Sequence, residues 1–138
     1  MSFSIISEWK QQFAELLKLP TTIVSNYGLI LCLQYKNENN KLHRNTDIGP
    51  ATIQYNGNGK KEYASYWIND QRHRPIDEGP AEIWFHRNDE IHHEVYRIND
   101  KKHRPTEKGP AVIWYKDGQI EFETYWVNDQ LHRHISYY

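Results

Sequence analysis

Apolar residues stand at alternate positions in three short runs: Ala51, Ile53 and Tyr55; Ala81, Ile83 and Phe85; Ala111, Ile113 and Tyr115. A two-residue period is that of a strand with one buried face, so each run predicts a strand. Gly-Pro precedes every run, and a tip with turn chemistry follows, Asn58-Gly59 in one case and Asp117-Gly118 in another. Such pairs supply the positive φ that tight hairpin turns need. Return strands then end in Tyr66-Trp67-Ile68, Tyr96-Arg97-Ile98 and Tyr125-Trp126-Val127, each followed by Asn-Asp. Asn and Asp tolerate left-handed backbone, which predicts a second tight turn leading back to His-Arg. The stretch "RPxxxGP" would bend the chain into its next strand.

Facing follows from register. With a two-residue Asp-Gly turn, Ile113 is expected opposite Phe122, putting Ala111, Ile113, Tyr115, Phe122 and Trp126 on one face. A tip one residue longer would move the return strand's set to the other side. Trp84 and Trp114 fall opposite the Ala-Ile-aromatic face either way.

The pattern recurs at a fixed period. Gly-Pro lies at 49–50, 79–80 and 109–110, and His-Arg at 43–44, 73–74, 103–104 and 132–133. The last His-Arg interval is one residue short, and the deletion maps to the tip at 116–119, where loops absorb length changes. A period of this size signals stacked units, each leaning on its neighbours. Residues 3–18 instead place Phe3, Ile6, Trp9, Phe13, Leu16 and Leu17 at helical spacing, ended by Pro20. This predicts an amphipathic helix over 1–20 capping the first unit. The expected fold is all-β: an elongated antiparallel array of hairpin repeats of about 30 residues with an N-terminal capping α-helix. Within 21–138, a degenerate unit spans 21–42, with strands around "TTIVS" and "LILCLQYK". Repeats follow at 43–72, 73–102 and 103–131, then a partial unit at 132–138.

The shared phrase "YxxND(x)xHRPxxxGPAxIxY" resembles the "WYxNGxxHRxDGPAxI" repeats of phage, large-virus and bacterial proteins, of the broad MORN-like β-hairpin class. The resemblance covers roughly 40 to 133. It runs through Tyr66-Trp67-Ile68-Asn69-Asp70, His73-Arg74, Gly79-Pro80-Ala81 and their counterparts. Asn-Asp stands here for Asn-Gly, and Ile, Glu or Lys precedes Gly-Pro-Ala where the family has Asp. The resemblance implies a scaffolding or partner-binding module and brings no catalytic residues with it.

Composition narrows the function. The chain has 138 residues and a net charge of -1, so nothing draws it electrostatically to nucleic acid or anionic lipid. Ten Tyr, five Trp and four Phe suit β structure. The single cysteine, Cys32, excludes an internal disulfide and reads as a buried, inert thiol. The first twenty residues lack the basic start and cleavage site of a secretory signal, and no run is long enough to span a bilayer. A soluble cytoplasmic protein is expected, without cofactor or metal, as a monomer or a dimer paired through an open sheet edge.

Candidate chemistry is sparse. The His-Arg pairs (His43 and Arg44, His73 and Arg74, His103 and Arg104, His132 and Arg133) read as structural corners. Each His is expected to donate to a backbone carbonyl. Each Arg is expected to pair with the acid three residues on: Arg44 with Asp47, Arg74 with Asp77, Arg104 with Glu107. A row of histidines one hairpin apart, about 10 Å, cannot converge at the roughly 2.0–2.3 Å a metal needs. His86, His92 and His93 cluster at one tip and offer at most a single metal contact. Glu121 and Glu123 read as a solvated face, and "YNGNGKK" as a hairpin tip without a helix N-terminus for phosphate. No Gly-x-Ser-x-Gly elbow occurs, and an enzyme is not expected.

The aromatic rows remain: Trp84 and Trp114 at equivalent positions, and likewise Trp67, Arg97 and Trp126. Trp and Arg anchor protein interfaces when they reach the surface. These five are the expected partner-binding residues of a non-catalytic protein-interaction module, in a specific form an inhibitor or immunity-type protein. The alternative is a carbohydrate or small-ligand binder using exposed Trp rows.

Overall fold

The computed structural model of the chain describes residues 18–137. The helix expected over 1–20 therefore lies outside the described residues, apart from Lys18, Leu19 and Pro20, which carry no regular structure.

Nine strands form one sheet: β1 (Thr21–Val24), β2 (Ile30–Gln34), β3 (Thr52–Tyr55), β4 (Lys61–Ser65), β7 (Glu82–Phe85), β8 (Ile91–Val95), β11 (Val112–Lys116), β12 (Gln119–Val127) and β13 (Gln130–Ser136). Each pairs antiparallel with the next in that order, so the sheet is an uninterrupted meander. Two small ribbons stand apart: β5 (Trp67–Ile68) with β6 (Gln71–Arg72), and β9 (Arg97–Ile98) with β10 (Lys101–Lys102). The all-β antiparallel reading of the sequence is thus met.

Turn chemistry places the strand ends. Asp117 and Gly118 have φ of 52° and 75°, closing the two-residue tip between Lys116 and Gln119. The Asn-Asp turns also lie left-handed at both residues, with φ of 48° and 64° at Asn69 and Asp70 and 47° and 71° at Asn99 and Asp100. This is the backbone of a type I′ turn, which matches strand twist.

Register departs from the expectation in one respect. The Asp-Gly turn has two residues as assumed, yet Trp114 pairs Phe122, and Ile113 pairs Glu123. A bulge between Trp114 and Tyr115 leaves Glu121 unpaired and shifts every later pair by one. Phe122 and Trp126 therefore belong to the Trp114 face, not to that of Ile113. Equivalent bulges follow Gln54 and Trp84, leaving Glu62 and His92 unpaired. Glu123, expected on a solvated face, is buried beside Ile113 and accepts from Tyr137 Oη at 2.7 Å.

The His-Arg corners repeat one set of bonds. Arg44, Arg74 and Arg104 donate from Nη1 to the carbonyls of Pro50, Pro80 and Pro110 at 3.1–3.2 Å. Their guanidinium groups lie 3.8–4.0 Å over the rings of Tyr35, Tyr66 and Tyr96. The expected pairing with the acid three residues on is not formed. The 3-10 turn Ile76–Glu78 directs Asp77 outward, where it accepts from Lys108 Nζ at 2.6 Å instead. Arg74 stays with a carbonyl that its own corner brings within reach. The histidine role is also reversed: Nδ1 of His43, His73 and His103 accepts the N–H of Asn69, Asn99 and Asn128 at 3.1–3.2 Å. His132 and Arg133 form no corner. They lie within β13, which runs on along β12, and only the Arg133 stack on Tyr125 is kept, at 5.6 Å.

The core is thin. Ala51, Ala81 and Ala111 are fully buried where strands leave the corners, and Val95, Tyr96, Val112 and Ile113 extend it along the middle of the sheet. Cys32 is buried, which pushes its thiol pKa up and suits an inert role.

Candidate functional site: an aromatic row across the sheet

Cross-strand pairing builds the site directly. Tyr63 pairs Trp84, Trp84 pairs His93, His93 pairs Trp114, and Trp114 pairs Phe122. Residues opposite one another in a sheet share a face, so these rings stand in one row. They stack like pages. Ring centroids are 4.1 Å apart for Trp84–His93 and for His93–Trp114, with interplanar angles of 13° and 10°. Tyr63 extends the row at 4.5 Å, Phe122 at 5.3 Å, and His134 beyond it at 5.7 Å.

A second row on the same face runs Ser65, Glu82, Val95, Val112 and Thr124. Next to it stand Trp67, Arg97 and Trp126. Trp67 and Trp126 donate from Nε1 to Ser65 Oγ at 2.6 Å and Thr124 Oγ1 at 2.8 Å. Arg97 bonds the Glu82 carboxylate through Nε and the Asp100 carbonyl through Nη1 at 3.1 Å. All five residues singled out from the sequence thus lie on one face, each half-buried. Trp84, Trp114, Arg97 and Trp126 further line a shared depression of about 320 Å³.

Glu82 is the electrostatic centre of this face. It is 1% exposed and holds Arg97, Arg72 Nη1 at 3.1 Å and Tyr63 Oη at 2.9 Å. A buried carboxylate costs several kcal/mol unless it is paired and hydrogen-bonded, and here both conditions are met. Burial and the Glu82 charge push the Tyr63 phenol well above its usual range. Burial opposes the Asp100 carboxylate, but Arg72 Nε at 2.6 Å outweighs it and holds Asp100 below the usual range. His93, inside the aromatic stack, is pushed down to about 4, first by burial and then by the neighbouring His92 charge. It stands neutral near pH 7.

Sequence reading passed over Tyr63, Glu82, His93 and Lys102 as members of this face, and with a two-residue turn it set Phe122 on the opposite one. A signal existed for one pair. Position 82 is Glu where equivalent positions hold Thr52 and Val112, and position 97 is Arg where they hold Trp67 and Trp126. A simultaneous acid and base substitution at neighbouring inward positions marks an ion pair.

The corner histidines do not assemble. His43, His73 and His103 each serve a separate Asn N–H. His92 and His93 approach at 3.0 Å between Nδ1 atoms, and His86 meets His92 edge-on at 4.5 Å. Among the described residues no group of three His, Cys, Asp or Glu side chains could hold a metal ion. Nor, among them, is any helix long and apolar enough to cross a membrane.

Comparison with protein-family models, with curated proteins and with solved structures returns no match.

Proposed function

We propose that the chain is a non-catalytic protein-binding module whose partner surface is the aromatic face carrying Trp67, Trp84, Arg97, Trp114 and Trp126. The observation that carries this reading is the stacked row itself, continuous from Tyr63 to His134 over neighbouring strands. Partly buried Trp and Arg side chains held in place before binding lose little entropy on association, as interface anchors require. The same observation disfavours the carbohydrate alternative. Sugars stack on free ring faces, and here the faces of Trp84 and Trp114 lie against His93, leaving edges outward.

The proposal includes an architecture. The thirty-residue spacing and the matching corner bonds support an elongated array of hairpin repeats related to MORN-like proteins. The amphipathic segment at 3–18 would cap the first hairpin, where Ile23, Val24, Leu29, Ile30 and Leu31 are exposed. An inhibitor or immunity-type role, occluding the surface of another protein, is the specific form that suits a small scaffold without catalytic residues.

The test is affinity capture from a host lysate with the wild-type chain, Trp84→Ala and Trp114→Ala, folding being checked by circular dichroism. A stoichiometric protein captured by the wild type and lost by folded variants is the expected result. Equal capture by all three, or binding to a glycan array abolished by either folded variant, would overturn it.

A further inference from the structure

The depression at the middle of the aromatic row has one-sided electrostatics. Its floor is Val95, Val112 and Thr124, and Trp84, Trp114 and Trp126 form apolar walls. His93 and two cations, Arg97 and Lys102, complete the lining, and no carboxylate does. These two stand directly opposite one another across the β9–β10 ribbon, an arrangement that is unfavourable for like charges. The Glu82 carboxylate offsets the charge of Arg97, so Lys102 is the cation of the two that no acid among the described residues neutralises. Glu82 is occupied by Arg97, Arg72 and Tyr63, and Asp100 by Arg72. Lys102 Nζ lies 4.3 Å over the Trp126 ring and pairs with no carboxylate among the described residues. His93 is neutral near pH 7 and adds no further positive charge.

Resting on the reading of this face as a partner surface, we infer that the depression selects its partner by chemistry. It takes a segment of a protein chain carrying one large apolar side chain beside an acidic side chain. The apolar group fills the space between Trp84, Trp114 and Trp126, and the carboxylate accepts from Lys102 Nζ at the rim. An internal segment fits better than a chain end, because the aromatic row continues past the depression on both sides, to Tyr63 and to His134. A segment lying along the row passes through the depression instead of terminating in it.

The experiment is an NMR titration of the labelled full chain, read on the indole N–H signals of Trp84, Trp114 and Trp126. Three probes are compared: Ac-Leu-Glu-NH2, its neutral isostere Ac-Leu-Gln-NH2, and Ac-Leu-OH. The Glu peptide is expected to bind about fivefold more tightly than the Gln peptide, the scale of one partly exposed ion pair. Lys102→Gln should erase that preference while the β-sheet spectrum is unchanged, since the Lys102 N–H bond to Asp129 is made by the backbone. Equal affinities in the wild type, a preference that survives Lys102→Gln, or no shift at these indoles overturns the inference. Tighter binding of Ac-Leu-OH than of the Glu peptide also overturns it, by making the occupant a chain end. If a captured partner is lost with Trp84→Ala but kept with Lys102→Gln, the partner surface stands and the acidic-segment rule falls.

Discussion

Gly79 and Gly109 show why Gly-Pro follows the His-Arg of each corner. Their φ values are 123° and 124°, and a Cβ at either would meet the Nη1 atom of Arg74 or Arg104 at 2.8–2.9 Å. The arginine that stacks on a tyrosine and bonds the proline carbonyl needs the space a side chain would occupy. Gly79→Ala should cost about 1–3 kcal/mol in urea unfolding, combining backbone strain with a displaced guanidinium. Gly57→Ala, with nothing within 4 Å of the new methyl, should change stability little in the same assay. His93 yields a second prediction at this scale. Its folded pKa lies near 4, below its ordinary 6.5, so the unfolded chain binds more protons between those values. Its contribution to stability is complete above pH 6.5 and is lost as pH falls toward 4. His93→Phe should flatten the difference in unfolding free energy between pH 7 and pH 4.5 relative to the wild type.

The hairpin and its Asn-Asp turn form the next scale. Asp70 donates its N–H to the Leu42 carbonyl at 2.9 Å and accepts the Leu42 N–H at 2.6 Å through Oδ1. Asp100 and Asp129 do the same with Arg72 and Lys102. Each turn is thereby tied to the hairpin before it by a backbone and a side-chain bond, the second of which glycine at the same φ could not make. Asp70→Gly keeps the turn without strain but removes the side-chain bond. It should cost about 0.5–1.5 kcal/mol in thermal unfolding and speed exchange of the Leu42 amide. The bulges at Glu62, His92 and Glu121 act at the same scale, since each re-aims the return strand so that Tyr63, His93 and Phe122 join the tryptophan face. Without them Ile113 would oppose Phe122, and the aromatic row would not exist.

Across the whole molecule, stability is set by neighbours. β8 and β11 are paired on both sides, and the buried residues Val95, Val112 and Ile113 lie there. β1 is exposed along its length and pairs only β2 among the described strands. Hydrogen exchange should therefore be slowest in β8 and β11 and fastest in β1, with β13 between; uniform protection across the sheet would contradict this nearest-neighbour picture.

Strands, tips and second turns were legible in the residues because they depend on local physics: a period of two, and Asn, Asp and Gly where φ is positive. The corners at 43–44, 73–74 and 103–104 were legible as corners, whereas His132-Arg133 runs on within β13, and Trp84 and Trp114 were legible as one set. Their bonding was not. Whether Arg74 prefers Asp77 or the Pro80 carbonyl, and whether His73 donates or accepts, depends on which groups the corner brings within 3 Å. Spacing along the chain does not carry that distance. The largest gap was the bulge, one unpaired residue that no side-chain pattern announces, yet it decides which face receives Phe122 and Trp126. Sequence alone thus determined the strands and their turns. Tertiary structure alone decided which rings meet and where the buried Glu82 charge finds its partners, because strand register and cross-strand contact exist only between segments.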